Sequence, residues 1–157
     1  RQSHDRIRGV IDGAAQSGVA LLAGGRDCSV SDHDGGDFLA PTVLDGVDPG
    51  SDIASAEIFG PVLTLMHMDE LDDAIASINS GRYGNMACLF TSSGGAARKF
   101  RHDVDAGNVG INIGVAAPMP FFPFSGWKDS FFGDLHGQGW DSLEFFTQKK
   151  VVVERWF

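Results

Sequence analysis

The sequence predicts an α/β fold: a mostly parallel sheet with flanking helices, closed by a terminal strand. Three observations predict it. Between Pro61 and Ile113, β-rich runs alternate with stretches of helical apolar spacing in the order β-α-β-α-β. The connections are short, and alternating elements joined in this way make right-handed crossovers that lay helices on the faces of a parallel sheet. Finally, a chain of 157 residues, 43% of them hydrophobic, can bury about 70% of its unfolded surface, so one compact domain is expected to carry that sheet.

Ile7, Val10, Ile11, Ala14 and Ala15 recur at helical spacing and Gly18 follows as a stop, which gives an opening helix. Gly9 and Gly13 each weaken it by about 1 kcal/mol relative to alanine, so packing must hold it. A short apolar run, Val19 to Ala23, leads into a loop from Gly24 to Asp37 rich in Gly, Asp and Ser, and Phe38 to Leu44 reads as a strand. Val62 to Met66 form a β-rich run within Pro61 to Met68. Asp69 can cap a helix carrying Leu71, Ala74, Ile75 and Ile78 on one face and ending at Gly81. Met86 to Thr91 is strand-like, Ser93 starts a helix containing Ala97 and Phe100, and Asn108 to Ile113 is a further apolar strand. Pro118, Pro120 and Pro123 then alternate with Met119, Phe121, Phe122 and Phe124, a pattern that excludes continuous helix and central strand and leaves a structured loop. A short helix covers Trp140 to Phe146, and Lys149 to Trp156, with three successive valines, is a closing strand.

Charge and motifs exclude several function classes. Lys and Arg total 12 against 21 for Asp and Glu, a formal charge of −9, which argues against nucleic acid and against anionic membranes. No apolar stretch approaches the roughly 20 residues that span a bilayer. Two cysteines, Cys28 and Cys88, suit a reducing compartment and a cytoplasmic chain. Cys28 lies beside Arg26, which can support a thiolate, yet no oriented base accompanies it; Cys88 reads as a buried small hydrophobe. The five histidines have no metal-ligand spacing, and there is no phosphate loop, complete G-x-G-x-x-G or G-x-S-x-G elbow. Neither a catalytic residue nor a metal ligand is assigned.

One string stands out. Ala56-Glu57-Ile58-Phe59-Gly60-Pro61-Val62 sets a carboxylate two residues before an aromatic ring, just ahead of a strand. A carboxylate there can accept two hydrogen bonds from a ribose diol, and a phenyl ring can pack on a nicotinamide. The same spacing also suits a structural turn with a solvated glutamate.

With Phe38-Leu39-Ala40-Pro41-Thr42, Tyr83-Gly84-Asn85, Phe90-Thr91, Ala97-Arg98-Lys99-Phe100 and Gly107-Asn108-Val109-Gly110-Ile111-Asn112, the string resembles the aldehyde dehydrogenase superfamily from Arg1 to Trp156. The loop Pro118 to Gly126, then Ser130 to His136 and Phe145 to Lys150, is similar to the methylmalonate-semialdehyde dehydrogenase group. The resemblance implies NAD as cofactor, a small semialdehyde captured by a cysteine, and release of the thioester to coenzyme A as acyl acceptor. It implies that Glu57 orients the cofactor ribose, that Phe59 lies near the nicotinamide, and that Phe124 forms a wall of the aldehyde pocket; core packing is the other role open to Phe124. Ala56 and Trp140 depart from the family pattern, which often carries an acidic and a basic residue there.

The same resemblance implies that residues 1–146 are the C-terminal part of the catalytic domain and that 147–157 form an oligomerisation strand giving a homo-oligomer. A three-valine strand with free hydrogen-bonding edges leads to the same expectation. The chain begins at Arg1 inside a helix-like pattern, so the expectation is a fragment whose cofactor-binding half and nucleophilic cysteine lie upstream. A non-catalytic interaction or oligomerisation module is the alternative.

Overall fold

The computed structural model describes residues 1–24, 28–33 and 35–157. Arg26, the cation beside Cys28, lies outside the described residues. The chain forms two compact units, Arg1–Asp69 and Glu70–Phe157.

In the first unit, α1 (Gln2–Gln16) buries Ile7, Ile11 and Ala14, the stripe that its apolar spacing predicts. It stops where Gly18 takes a φ of 92°, a conformation open to glycine. β1 (Ala20–Ala23) pairs antiparallel with β2 (Thr42–Asp45), and β2 pairs parallel with β3 (Val62–Leu65). α2 (Asp52–Ser55), a single turn, lies between β2 and β3 in sequence and has no clear apolar signature. Ala14, Leu44 and Val47 form the core, with Leu21, Ile53 and Val62 packed against it. β2 is shorter than the strand expected from Phe38: Pro41 has no N–H to give to a ladder, and pairing begins with the bond from Thr42 N to Pro61 O at 2.8 Å.

The second unit holds α3 (Leu71–Ser80), β4 (Tyr83–Gly84), β5 (Met86–Leu89), α4 (Gly94–Asp103), β6 (Asn108–Ile111), β7 (Trp127–Lys128) and α5 (Gly139–Phe146). β5 and β6 pair in parallel across α4, a βαβ unit, over a core of Ile75, Ala87, Phe100, Val104 and Ala106. Ser93 caps α4 as expected, its Oγ accepting from Ala96 N at 3.2 Å. The residue preceding α3 is Glu70 rather than Asp69, and it makes no side-chain cap bond. β6 ends two residues before Ile113 because Asn112 turns to a φ of 56°.

Two expectations are corrected. Among the described residues, the β-α-β-α-β run does not share one sheet: β3 pairs with β2, while β5 pairs with β6. The α/β class holds, with parallel pairs in each unit and antiparallel pairs at β1–β2 and β4–β7. Cys88 is half-buried rather than buried, with Sγ donating to Gly114 O at 3.7 Å, because a loop rather than a packed helix lies over it. Residues 147–157 pair with no strand among the described residues of this chain, and Val153 is 91% exposed.

Candidate functional site

The loop that carries Glu57 is anchored on three sides. Arg6, on α1, donates from its guanidinium to Ile58 O at 2.6 Å. Gly60 lies so close to α1 that a Cβ there would meet Ile7 Cδ1 at 2.6 Å. Pro61 O accepts from Thr42 N, which joins the loop to the start of β2. Between these anchors Phe59 takes a φ of 54°, in the left-handed region that a bulky side chain rarely adopts, and its ring is 84% exposed. Such a conformation persists only where the surrounding structure holds it, and Lys128, at the same φ of 54°, is held in this way by three carbonyls. Glu57 is exposed, and its carboxylate has no hydrogen-bond or ion-pair partner among the described residues. The loop therefore presents a free acceptor pair and a free aromatic face two residues apart.

Phe124 belongs to the second unit. Its N donates to Gly137 O at 2.8 Å in an isolated antiparallel bridge, and its side chain is 42% exposed. The surrounding loop is structured, as its prolines predict. Phe122 N donates to Met119 O at 2.9 Å and Gly139 N to Pro120 O at 3.0 Å. Gly107 abuts the turn after Phe124, where an added Cβ would stand 2.6 Å from Gly126 N. His136 stacks on Phe131 with ring centroids 4.1 Å apart, and its two ring nitrogens face Asp141 Oδ2 and Gly126 O, each at 3.3 Å.

An open groove of about 450 Å³ lies on the other flank of this loop, with Pro120, Phe121, Gln138, Trp140 and Leu143 in its walls; Phe124 does not line it. Sequence reasoning missed this groove, and the alternation of proline with large apolar residues was its signal.

No reacting group is assembled in the described residues. Cys88 meets a carbonyl rather than a base, and neither cysteine is in a disulfide. Among the described residues no group of three or more His, Cys, Asp or Glu can hold a metal ion, and no helix is long and apolar enough to cross a membrane. What the chain offers is binding chemistry: an acceptor and a ring at residues 57–59, and a tethered apolar loop around Phe124.

The chain is 49% identical over 156 residues to malonate-semialdehyde dehydrogenase 1 of Geobacillus kaustophilus (strain HTA426), an alignment covering 99% of this chain and 32% of that protein. It is 46% identical to malonate-semialdehyde dehydrogenase of Halalkalibacterium halodurans, again over 99% of the chain and 32% of the relative. The chain thus spans about a third of the length of these relatives, 32% in each. Among solved structures, methylmalonate-semialdehyde dehydrogenase from Oceanimonas doudoroffii superposes with a TM-score of 0.95 at 40% identity, over 99% of this chain and 32% of that one. Mycobacterium tuberculosis aldehyde dehydrogenase, solved in complex with NAD+, superposes with a TM-score of 0.81 at 33% identity, over 95% of this chain and 30% of that one. The model of the aldehyde dehydrogenase family matches residues 1–152, and the chain belongs to that family.

Proposed function

We propose that these residues form the nicotinamide-ribose side of an NAD-dependent semialdehyde dehydrogenase. The observation that carries the reading is the Glu57 to Pro61 loop: anchored on α1 and β2, it leaves one carboxylate and one ring free in a chain 49% identical to a malonate-semialdehyde dehydrogenase. These residues fit the cofactor. A ribose diol offers two hydroxyl donors to the two oxygens of Glu57, and the exposed ring of Phe59 can cover one face of a nicotinamide. NAD, when bound, accepts the hydride of the oxidation. Within this chain Glu57 orients, Phe59 excludes water from one face, and Phe124 borders the apolar end of the aldehyde.

The reading continues beyond the chain. The reacting cysteine would belong to a longer polypeptide, where its sulfur would add to malonate semialdehyde or its methyl derivative as a thiohemiacetal; with the hydride given up to NAD a thioester would remain, and its acyl group would pass to coenzyme A as the cysteine thiol is released. The exposed valines at 151–153 and the unpaired segment 149–156 support a homo-oligomer built by strand addition, and free cysteines support a cytoplasmic protein. The alternative, a non-catalytic interaction module, draws on the same exposed tail.

The test is reduction of NAD by the full-length polypeptide with malonate semialdehyde and coenzyme A, read as absorbance of the reduced nicotinamide. Turnover dependent on all three supports the reading; turnover without coenzyme A removes the acylating step, and none with any aldehyde favours the module.

A further inference from the structure

We infer that Asn108 is a positioning residue for the wall formed by Phe124, working with Asn112 as a two-ended amide clamp on the loop between them. The inference rests on the reading of Phe124 as part of the aldehyde pocket. Asn108 opens β6 and is 8% exposed. Its Nδ2 donates to Asn85 O at 3.0 Å and to Ser125 O at 2.5 Å, so both amide protons are used, one on the residue just before β5 and one on the residue that follows Phe124. Phe124 N is held on the other side by Gly137 O at 2.8 Å. The backbone on each side of the Phe124 ring is therefore tied, and the ring is the part left free.

Asn112 does the matching work where the loop departs. Its Oδ1 accepts from Thr91 N at 2.8 Å and its Nδ2 donates to Thr91 O at 3.0 Å. The side-chain amide thus stands in for a peptide group and extends the β5–β6 ladder, while the main chain turns away at a φ of 56°, a conformation that asparagine tolerates. The loop then folds back over the strands. Ala116 N meets Met86 Sδ at 3.3 Å, and Gly110 leaves the room, since a Cβ there would stand 2.8 Å from Cys88 Sγ and 3.1 Å from Ile113 O. Residues 113–125 thus leave and return at the two ends of one four-residue strand.

A wall held in this way contributes to ground state and transition state alike, so releasing it raises the KM for the aldehyde and spares kcat. A merely structural role has another signature: fewer folded molecules, hence a lower apparent kcat at an unchanged KM.

The experiment compares wild type, Asn108→Asp and Asn112→Gly in the full-length polypeptide, with malonate semialdehyde and its methyl derivative, alongside amide hydrogen exchange over residues 113–126. Asn108→Asp keeps the shape but aims oxygen at two carbonyls; Asn112→Gly keeps the turn and removes the amide, and it decides the matter if the first variant does not fold. The expected result in each is a KM for aldehyde raised about tenfold, with kcat and the KM for NAD within about twofold, and faster exchange in the loop. A lowered kcat at constant KM, or no change in either, overturns the positioning role. If the wild type oxidises no aldehyde, the pocket reading fails and this role fails with it; the exchange data still judge the clamp, and unchanged exchange in Asn108→Asp overturns that too.

Discussion

Arg6 reaches from α1 to donate a hydrogen bond to the carbonyl of Ile58 at 2.6 Å, joining residues 52 positions apart. Ile58 lies between the two proposed cofactor contacts, so this bond sets the attitude of the peptide that presents both. Arg6→Ala is expected to lower stability by about 1 kcal/mol, since the bond is exposed, and to weaken NAD binding by the full-length polypeptide about three- to tenfold. Thermal unfolding and NAD titration check the two parts. Equal NAD affinity in variant and wild type would detach the loop from the cofactor.

The contact between Gly60 and Ile7 predicts a compensation. Gly60→Ala places a methyl against the buried Ile7 side chain, 2.6 Å from Cδ1 and 3.2 Å from Cγ1, and is expected to cost about 1–3 kcal/mol. Ile7→Val removes Cδ1 and should recover part of that cost, so the double variant is more stable than the sum of the single changes allows. Strict additivity in urea unfolding would show that the two residues do not meet.

Lys128 predicts a capping loss. Its Nζ donates to Ile78 O at 3.3 Å, Asn79 O at 2.8 Å and Gly81 O at 3.0 Å, matching three ammonium protons to three carbonyls at the end of α3. Lys128→Met preserves the stem and removes the side-chain donor from Asn79 O and Gly81 O, while Ile78 O keeps the bond from Gly81 N at 3.2 Å, a loss of about 1–3 kcal/mol by thermal unfolding. Since Lys128 also pairs with Tyr83 across β4–β7, exchange should quicken at both ends of that bridge.

Asp103 predicts an acid limb. Hydrogen bonds from His102 and then Lys99 hold its carboxyl below the ordinary aspartate range. A lowered carboxyl pKa contributes stability that is fully present above about pH 4 and is lost as pH falls through the folded-state value. Asp103→Asn should therefore flatten the stability profile below about pH 4 as read by thermal unfolding, and should also weaken the alkaline limb, because the hydrogen bond from Lys99 to Asp103 is what chiefly raises the lysine.

Much of this fold is legible along the chain because its signals are local. The stripe of α1, the Ser93 cap and the helix stop at Gly81 depend on residues within a turn or two of one another. The β4–β7 bridge was not legible: Tyr83–Gly84 and Trp127–Lys128 are too short to show periodicity, and their pairing is decided by the cap at Lys128 and by Gly84, whose absent Cβ would meet Asp105 O at 2.9 Å. The division of β3 and β5 between sheets is likewise a choice of distant partner, which alternation alone does not specify. At the site, the Glu57 to Pro61 string is readable as residues, whereas the positive φ of Phe59 and the anchor from Arg6 appear only in three dimensions. In sequence Asn108 reads as the start of a strand and Asn112 as part of its interior; their two-sided bonds give them another meaning.

In the proposed function Glu57 holds the ribose of NAD while the reacting thiol lies outside this stretch. The most direct measurement is the KM for NAD in malonate-semialdehyde oxidation by the full-length polypeptide, wild type against Glu57→Gln, with the 157-residue chain alone assayed alongside. Ribose binding through Glu57 predicts a KM for NAD raised about tenfold in the variant and no turnover by the isolated chain. An unchanged KM, or aldehyde oxidation by the isolated chain, would contradict it.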